Sequence, residues 1–416
     1  MHFKESTLAL VKEAEAALAD RFAEIDALSF RGTEKVMSAF YNNRVSDSMF
    51  AGTTGYGYND KGRDTLDLIF AEVFGAEAAI VRHSIVNGTQ ALAIGLYGLL
   101  RPGDVMLSVT GKPYDTLEEV IGIQGTPGNG SLADFGVTYK EIAFDGSFDY
   151  PAIEEALKDE KVKMVFVQRS KGYLDRPTLD VATIGELVKF VKERSNAYVF
   201  VDNCYGEFCD ELEPTAVGVD LMAGSLIKNA GGGMAQSGGY LAGTAKAVEL
   251  ASYRLTTVGV GNEVGATFGQ NRDLFKGFFY GPHTTAQALK TAALAAYMFE
   301  KAGFEVEPRY NEPRYDIIQQ VKCKTPENLC AFCRGIQKGS PVDSFATPEP
   351  WEMPGYTDKV IMAAGAFVQG SSIELSADGP LRPPYTAYFQ GGLTYESGKI
   401  GIMSAYEEVM SEMMKG

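Results

Sequence analysis

Leu8, Val11, Leu18, Phe22 and Ile25 recur at the spacing of one helix face between residues 6 and 26, which predicts an amphipathic helix whose apolar stripe packs on something. The next stretch, "SDSMFAGTTGYGYNDKGRDTLDLIF", is rich in Gly, Ser, Thr and Tyr. It reads as loop until Asp64, which can cap a helix closing at Gly75. From Ala78 the period changes. "AAIVRHS", "VMLSVT", "VTYKEIAF", "KMVFVQRS" and "AYVFVDN" are short apolar runs that read as strands. Between them "GTQALAIGLYGLL", "YDTLEEVIG", "YPAIEEALKD" and "VATIGELVKFVKERS" carry helical spacing. Such alternation predicts an α/β fold, a mostly parallel sheet covered by helices.

"DLMAGSLIK" and "GGYLAG" add two strands with little between them, which leaves room for a hairpin-like or edge arrangement. After about residue 300 the rhythm breaks. "EVEPRYNEPRYD" and "TPEPWEMPGY" supply Pro-rich turns before a final "IMAAGAFVQGSSIELSAD", the pattern of a smaller α+β domain. The division expected is residues 1–50 as a helical segment packing on the small domain or on a neighbouring subunit, 51–300 as the large domain, and 301–416 as the small domain.

At 416 residues, with 45% hydrophobic and 22% charged residues, the chain has apolar material for more than one core. Its net charge of -16 argues against a nucleic-acid partner, because phosphate binding draws on Lys and Arg. The N-terminus lacks the apolar core of a signal peptide, and no run of about 18 apolar residues follows. The expectation is a cytoplasmic protein without a membrane partner. Five cysteines, an odd number, are read as free thiols. Cys330 and Cys333 form a C-x-x-C beside Cys323, but no further Cys or His stands at ordinary zinc spacing, so no metal is expected.

Ligands of open α/β sheets sit outside the carboxyl ends of the strands. Asp202 ends "AYVFVD" and Lys228 ends "GSLIK", 228 − 202 = 26 residues apart, room for one connection between neighbouring strands. A lysine desolvated in a cleft becomes a nucleophilic amine able to form a Schiff base with a cofactor aldehyde. A nearby carboxylate would hold a proton on a pyridine nitrogen and make the ring an electron sink, which is the logic of pyridoxal phosphate. Gly231, Gly232 and Gly233 allow a sharp turn after the lysine, and are equally the composition of a flexible loop. The phosphate needs an anion site, and Asn87, Gly88 and Thr89 opening an apolar helix offer one. Ser225 could add a hydroxyl, and Tyr114, where a strand gives way to a helix, could stack on the ring or simply pack.

With these residues in place, the sequence resembles the aluminium-resistance or methionine gamma-lyase-like family of fold type I pyridoxal-phosphate enzymes. The resemblance rests on "TGYGYNDKGRDTLD", "LRPGDVMLSVTGKPYDTLEEVIG", "VQRSKGY", "VDNCYGEF", "AGSLIKNAGGGMAQSGGYLAG", "MPGYTDKVIMAAGAFVQGSSIELSADGPLRPPY" and "QGGLTYE". It implies a seven-stranded sheet in the large, cofactor-binding domain, Lys228 as Schiff-base lysine and proton shuttle, Asp202 as partner of the pyridine nitrogen, and Tyr114 as the stacking aromatic. Gly88, Thr89 and Ser225 would hold the phosphate, joined by Tyr56 or Tyr58 with Arg63 from a neighbouring subunit. Arg382 would bind the substrate carboxylate through its bidentate fork. A homodimer or homotetramer is implied as well.

The chain departs from the family pattern at three places. Asn87-Gly88-Thr89-Gln90-Ala91 stands where Ser-Gly-Thr-His-Ala is usual, Ala230 where Pro is usual, and Ile227 where the wider lyases carry Thr.

The function implied is a carbon-sulfur lyase acting on a sulfur amino acid, by β-elimination from a cystathionine-like substrate or γ-elimination from methionine. Two rivals stand beside it. A non-catalytic pyridoxal-phosphate protein is suggested by the altered turn, and a nicotinamide dehydrogenase by the alternation, although no G-x-G-x-x-G opens a helix after the first strand. A zinc module on Cys323, Cys330 and Cys333 comes last.

Overall fold

The computed structural model describes residues 2–353 and 358–415, so residues 354–357 of the stretch "MPGYTDKV" lie outside the description. The opening apolar stripe forms two helices rather than one, α1 (Glu5–Ala17) and α2 (Ala19–Asn42), parted at Leu18. Val11, Leu18 and Ile25 are buried, whereas Leu8 is 49% exposed and falls off the packed face. The third helix, α3 (Lys61–Phe74), is capped by Asp60 and not by Asp64. Asp60 is the buried one of the two, and its carboxylate accepts Arg63 N–H at 2.9 Å and the Thr267 hydroxyl at 2.6 Å. Asp64 stands in the first turn, paired with Arg63. Gly75 closes the helix in the left-handed conformation, φ 68°.

Strand and helix then alternate as β1 (Ala78–Arg82), α4 (Gly88–Leu99), β2 (Val105–Ser108), α5 (Asp115–Ile121), β3 (Thr138–Glu141) and α6 (Tyr150–Leu157). The series continues with β4 (Val162–Gln168), α7 (Val181–Lys192), β5 (Tyr198–Asp202), β6 (Leu221–Ser225), β7 (Gly239–Gly243), α8 (Ala245–Leu255) and α9 (Asn271–Lys301). The seven strands form one mixed sheet in the order β1-β7-β6-β5-β4-β2-β3, parallel from β6 through β3. Strand β7 is not an edge. It pairs antiparallel with both β6 and β1, and all five of its residues are buried. Glycine permits that insertion, since a Cβ at Gly243 would lie 2.1 Å from the Asp220 carbonyl oxygen.

Strand β6 ends at Ser225 and not at Lys228. The ladder with β7 stops at the Ser225–Gly239 pair, and Lys228 opens a 3-10 turn over Asn229–Gly231 instead. The remaining elements are β8 (Glu305–Glu307), β9 (Ile318–Lys322), α10 (Pro326–Gly339), β10 (Val360–Ala364), β11 (Leu375–Pro380), β12 (Thr386–Gly391) and α11 (Tyr395–Met413). These five strands form an antiparallel sheet in the order β10-β11-β12-β9-β8.

The chain divides into two compact units. One comprises residues 34–226 and 234–279 and contains the seven-stranded sheet, its core built on residues such as Ile80, Leu96, Met106, Phe166 and Phe200. The other comprises residues 1–33, 227–233 and 280–416 and contains the five-stranded sheet. Val11 and Leu18 enter its core beside Phe299, Phe332 and Ile402, and so do Cys323, Cys330 and Cys333. Burial pushes the Cys323 thiol up to about 12, so this cluster behaves as packing. No helix among the described residues is long and apolar enough to cross a membrane.

Candidate active site

The carboxyl edge of the seven-stranded sheet collects half of the candidate residues. Asp202 closes β5 in register with Gln168 of β4 and Ala223 of β6. Its carboxylate is buried and Oδ1 accepts the Cys204 N–H at 3.0 Å, which fixes its orientation. Gln168 ties a second element to this edge. Its Oε1 accepts the Tyr114 N–H at 2.6 Å and its Nε2 donates to the Ser170 carbonyl at 3.0 Å. The half-buried Tyr114 ring lies against Gly172, and its centroid is 5.7 Å from that of Tyr173.

Helix α4 brings an amide terminus to the same edge. Asn87 Oδ1 accepts the Gln90 N–H at 2.8 Å while Gln90 Oε1 accepts the Val86 N–H at 2.6 Å, a reciprocal cap. The amides of Gly88 and Thr89 have no carbonyl partner within the helix and are the groups such a terminus offers to an anion. Thr89 Oγ1 lies 2.9 Å from Thr116 Oγ1 of α5. Gly88 is buried, and a Cβ there would lie 3.1 Å from Cys204 Sγ and 3.5 Å from Ser225 Cβ. The helix terminus, the end of β6 and the residue two beyond Asp202 therefore converge around Gly88. This arrangement fits a phosphate-bearing ring anchored by a lysine, with amides and a hydroxyl at one end and a carboxylate at the other.

Lys228 is partly buried and belongs to the unit of the five-stranded sheet. It follows Ser225 by three residues, so chain length alone holds its Cα within about 11 Å of the end of β6. Within its own unit the lysine loop is held at several points. Thr284 Oγ1 donates to the Gly232 carbonyl at 3.3 Å, Ile227 lies against Gly370, and Gly233 lies against Leu393.

Other expected residues stand elsewhere. Arg382 occupies the turn between β11 and β12, half-exposed and ion-paired with Asp358 at 3.2 Å. The six residues of β12, spanning roughly 20 Å, separate that turn from Leu393 and the lysine loop. Arg63 is 2% exposed, and its guanidinium donates to the carbonyls of Gly57 at 2.7 Å and Gly265 at 3.0 Å and pairs with Asp64. Its fork is thus used inside its own chain rather than offered to another. Tyr56 and Tyr58 are exposed, their ring centroids 5.6 Å apart. Sequence reading passed over Gln168, Cys204, Thr116 and the fully buried Lys171. Gln168 carried one usable signal, a polar residue ending an otherwise apolar strand run.

A model of the methionine gamma-lyase family matches residues 7–410. The chain is 50% identical over 405 residues to YnbB, an uncharacterized protein of Bacillus subtilis, covering 97% of this chain and 96% of that one. It matches the crystal structure of a carbon-sulfur lyase involved in aluminum resistance from Clostridium novyi with TM-score 0.93 and 50% identity, over 97% of this chain and 96% of the other. At 14% identity, a TM-score of 0.62 and coverage of 95% and 97%, the pyridoxal-5'-phosphate dependent protein YhfS from Escherichia coli shares the fold alone.

Proposed function

This chain belongs to the methionine gamma-lyase family, and from that premise we propose that it is a pyridoxal-phosphate-dependent carbon-sulfur lyase acting on a sulfur amino acid. Its architecture is that of fold type I pyridoxal-phosphate enzymes. One observation carries the reading. Cys204, whose amide orients Asp202, meets Ser225 and the terminus of α4 around Gly88, and the next charged side chain after Ser225 is Lys228.

Bound at this edge, pyridoxal phosphate supplies an aldehyde for a lysine and a ring that takes up the electron pair left at the substrate α-carbon. The amides of Gly88 and Thr89 with the Ser225 hydroxyl bind the phosphate. Asp202, oriented by the Cys204 amide, keeps a proton on the ring nitrogen. Tyr114 covers one face and excludes water. Lys228 would anchor the cofactor through its amine, and the same amine, when free, would move the substrate α-proton. In γ-elimination the same amine moves a second proton, at Cβ. The substrate-carboxylate role is not carried over to Arg382, because that guanidinium is ion-paired at the opposite end of β12 from the lysine loop.

The assembly we propose is a homodimer or homotetramer in which exposed Tyr56 or Tyr58 reaches the phosphate of a second copy. A cytoplasmic setting is supported by five cysteines, none of them in a disulfide. A non-catalytic reading draws less support, because the Asn87–Gln90 departure is absorbed in capping α4 and leaves Gly88 in its place.

The test is incubation of the holoenzyme with L-cystathionine and L-methionine in deuterated buffer. Pyruvate from cystathionine identifies β-elimination, and 2-oxobutanoate from methionine identifies γ-elimination. A protein that holds the cofactor yet exchanges no α-proton with either, nor with L-cysteine, is the non-catalytic alternative.

A further inference from the structure

Behind Asp202 lies a group of buried polar side chains that no step of the proposed chemistry uses. Arg169 and Glu207 are 0% exposed, Asn203 is 0% exposed and Glu213 is 6% exposed. The Arg169 Nη1 donates to Asn203 Oδ1 at 2.9 Å and to the Gly206 carbonyl at 3.0 Å, and lies 3.4 Å from Glu213 Oε2. Asn203 Nδ2 donates to Glu213 Oε2 at 2.9 Å and reaches the Tyr240 hydroxyl at 3.3 Å. The Tyr240 hydroxyl donates to Glu207 Oε1 at 2.7 Å. The guanidinium thus meets the Glu213 carboxylate in the interior, where ionic groups are retained only with several hydrogen bonds each. Replacing the set by apolar residues would serve stability as well, so stability is a weak account of it.

The loop that these groups hold is the one that orients Asp202. Tyr205 and Phe208 both have positive φ, 73° and 62°, a left-handed conformation that non-glycine residues adopt only at a cost. Such a shape persists only where its surroundings over-determine it. Here Glu213 Oε1 accepts the Phe208 N–H at 2.8 Å, and the Arg169 guanidinium holds the Gly206 carbonyl between the two. The product of this loop geometry is the Cys204 N–H, aimed at Asp202 Oδ1 from 3.0 Å.

We propose that Glu213, Arg169 and Asn203 are positioning residues that hold residues 203–208 so that the Cys204 amide fixes the Asp202 carboxylate against the cofactor ring nitrogen. This rests on the pyridoxal-phosphate reading. The network acts through Asp202 and touches no reacting atom. Glu213→Gln places an amide donor where two donors now converge, which releases the Phe208 or the Asn203 contact and lets the loop relax.

The test uses holoenzyme of the parent, of Glu213→Gln and of the milder Tyr240→Phe, which removes one hydroxyl. For each we would record the visible cofactor band across pH, the dissociation constant of the cofactor from apoprotein titration, and urea stability. The expected result for Glu213→Gln is a displaced pH midpoint of the band and about tenfold weaker cofactor retention, in line with the effect of removing an outer-shell partner. Borohydride would still trap the cofactor on Lys228. Tyr240→Phe should move the midpoint in the same direction by less. If both variants fold and reproduce the parental band and affinity, the positioning role is overturned while the lyase reading stands. A parent without a visible band overturns both.

Discussion

At the scale of residues, the account turns on the space at Gly88. A Cβ there would press on Cys204 Sγ at 3.1 Å, the residue whose amide orients Asp202, at the mouth of the helix terminus. Alanine is a better residue than glycine for a helix, so Gly88→Ala should leave the apoprotein within about 1 kcal/mol of parental stability. Its cofactor dissociation constant should rise about tenfold, near 1.4 kcal/mol. Titration of the two apoproteins with pyridoxal phosphate separates these effects, and equal affinities would remove Gly88 from the site. Asp202, Tyr114, Gly88 and Ser225 were legible because each stands at a strand end or a helix start, where α/β proteins place their chemistry. Arg169, Asn203, Glu207 and Glu213 were not, since charged residues in loops are ordinarily solvated and nothing in their spacing marks them as buried.

Among the elements, α3 shows how tertiary contacts choose between two local signals. Asp60 and Asp64 are both plausible caps in sequence, and Asp60 is selected by donors distant in the chain, Thr267 and Asn271. Burial would raise its carboxyl, but the hydrogen bonds from Arg63 N–H, Thr267, Thr53 and Asn271 outweigh that and hold it below the usual range. A carboxyl depressed in the folded state stabilises fully above its unfolded value, near pH 4, and loses that contribution as pH falls through the folded one. Asp60→Asn should therefore cost about 1–3 kcal/mol at neutral pH and flatten the acid limb of the stability curve. Urea unfolding at several pH values checks this, and an unchanged acid limb would contradict it. Strand β6 shows the opposite failure. Leu226 and Ile227 continue the apolar run and suggest a strand reaching Lys228, yet after Ser225 they pack as loop residues, Ile227 against Gly370.

For the whole molecule, the change from helical to strand period at Ala78 and its loss near residue 300 made the sheet and the second architecture legible. Short apolar strands alternating with helices admit few arrangements. The sequence left open whether the N-terminal segment packs on the small domain or on a neighbouring subunit, and residues 1–33 join the unit of the five-stranded sheet; that residues 227–233 join it too is something no local pattern showed. The first follows from core side chains such as Val11 and Leu18, whose partners lie some hundreds of residues away. The second means that the lysine is carried on a loop whose packing partners, Thr284 and Leu393, lie far along the chain. The central claim is that this lysine anchors pyridoxal phosphate. The most direct test is the absorbance spectrum of the purified protein beside Lys228→Ala, before and after borohydride. The account predicts a yellow band in the parent that borohydride bleaches, leaving the cofactor fixed to the peptide containing Lys228, and no such band or adduct in the variant. A parent that stays colourless with added pyridoxal phosphate, or a variant that traps the cofactor equally well, would contradict it.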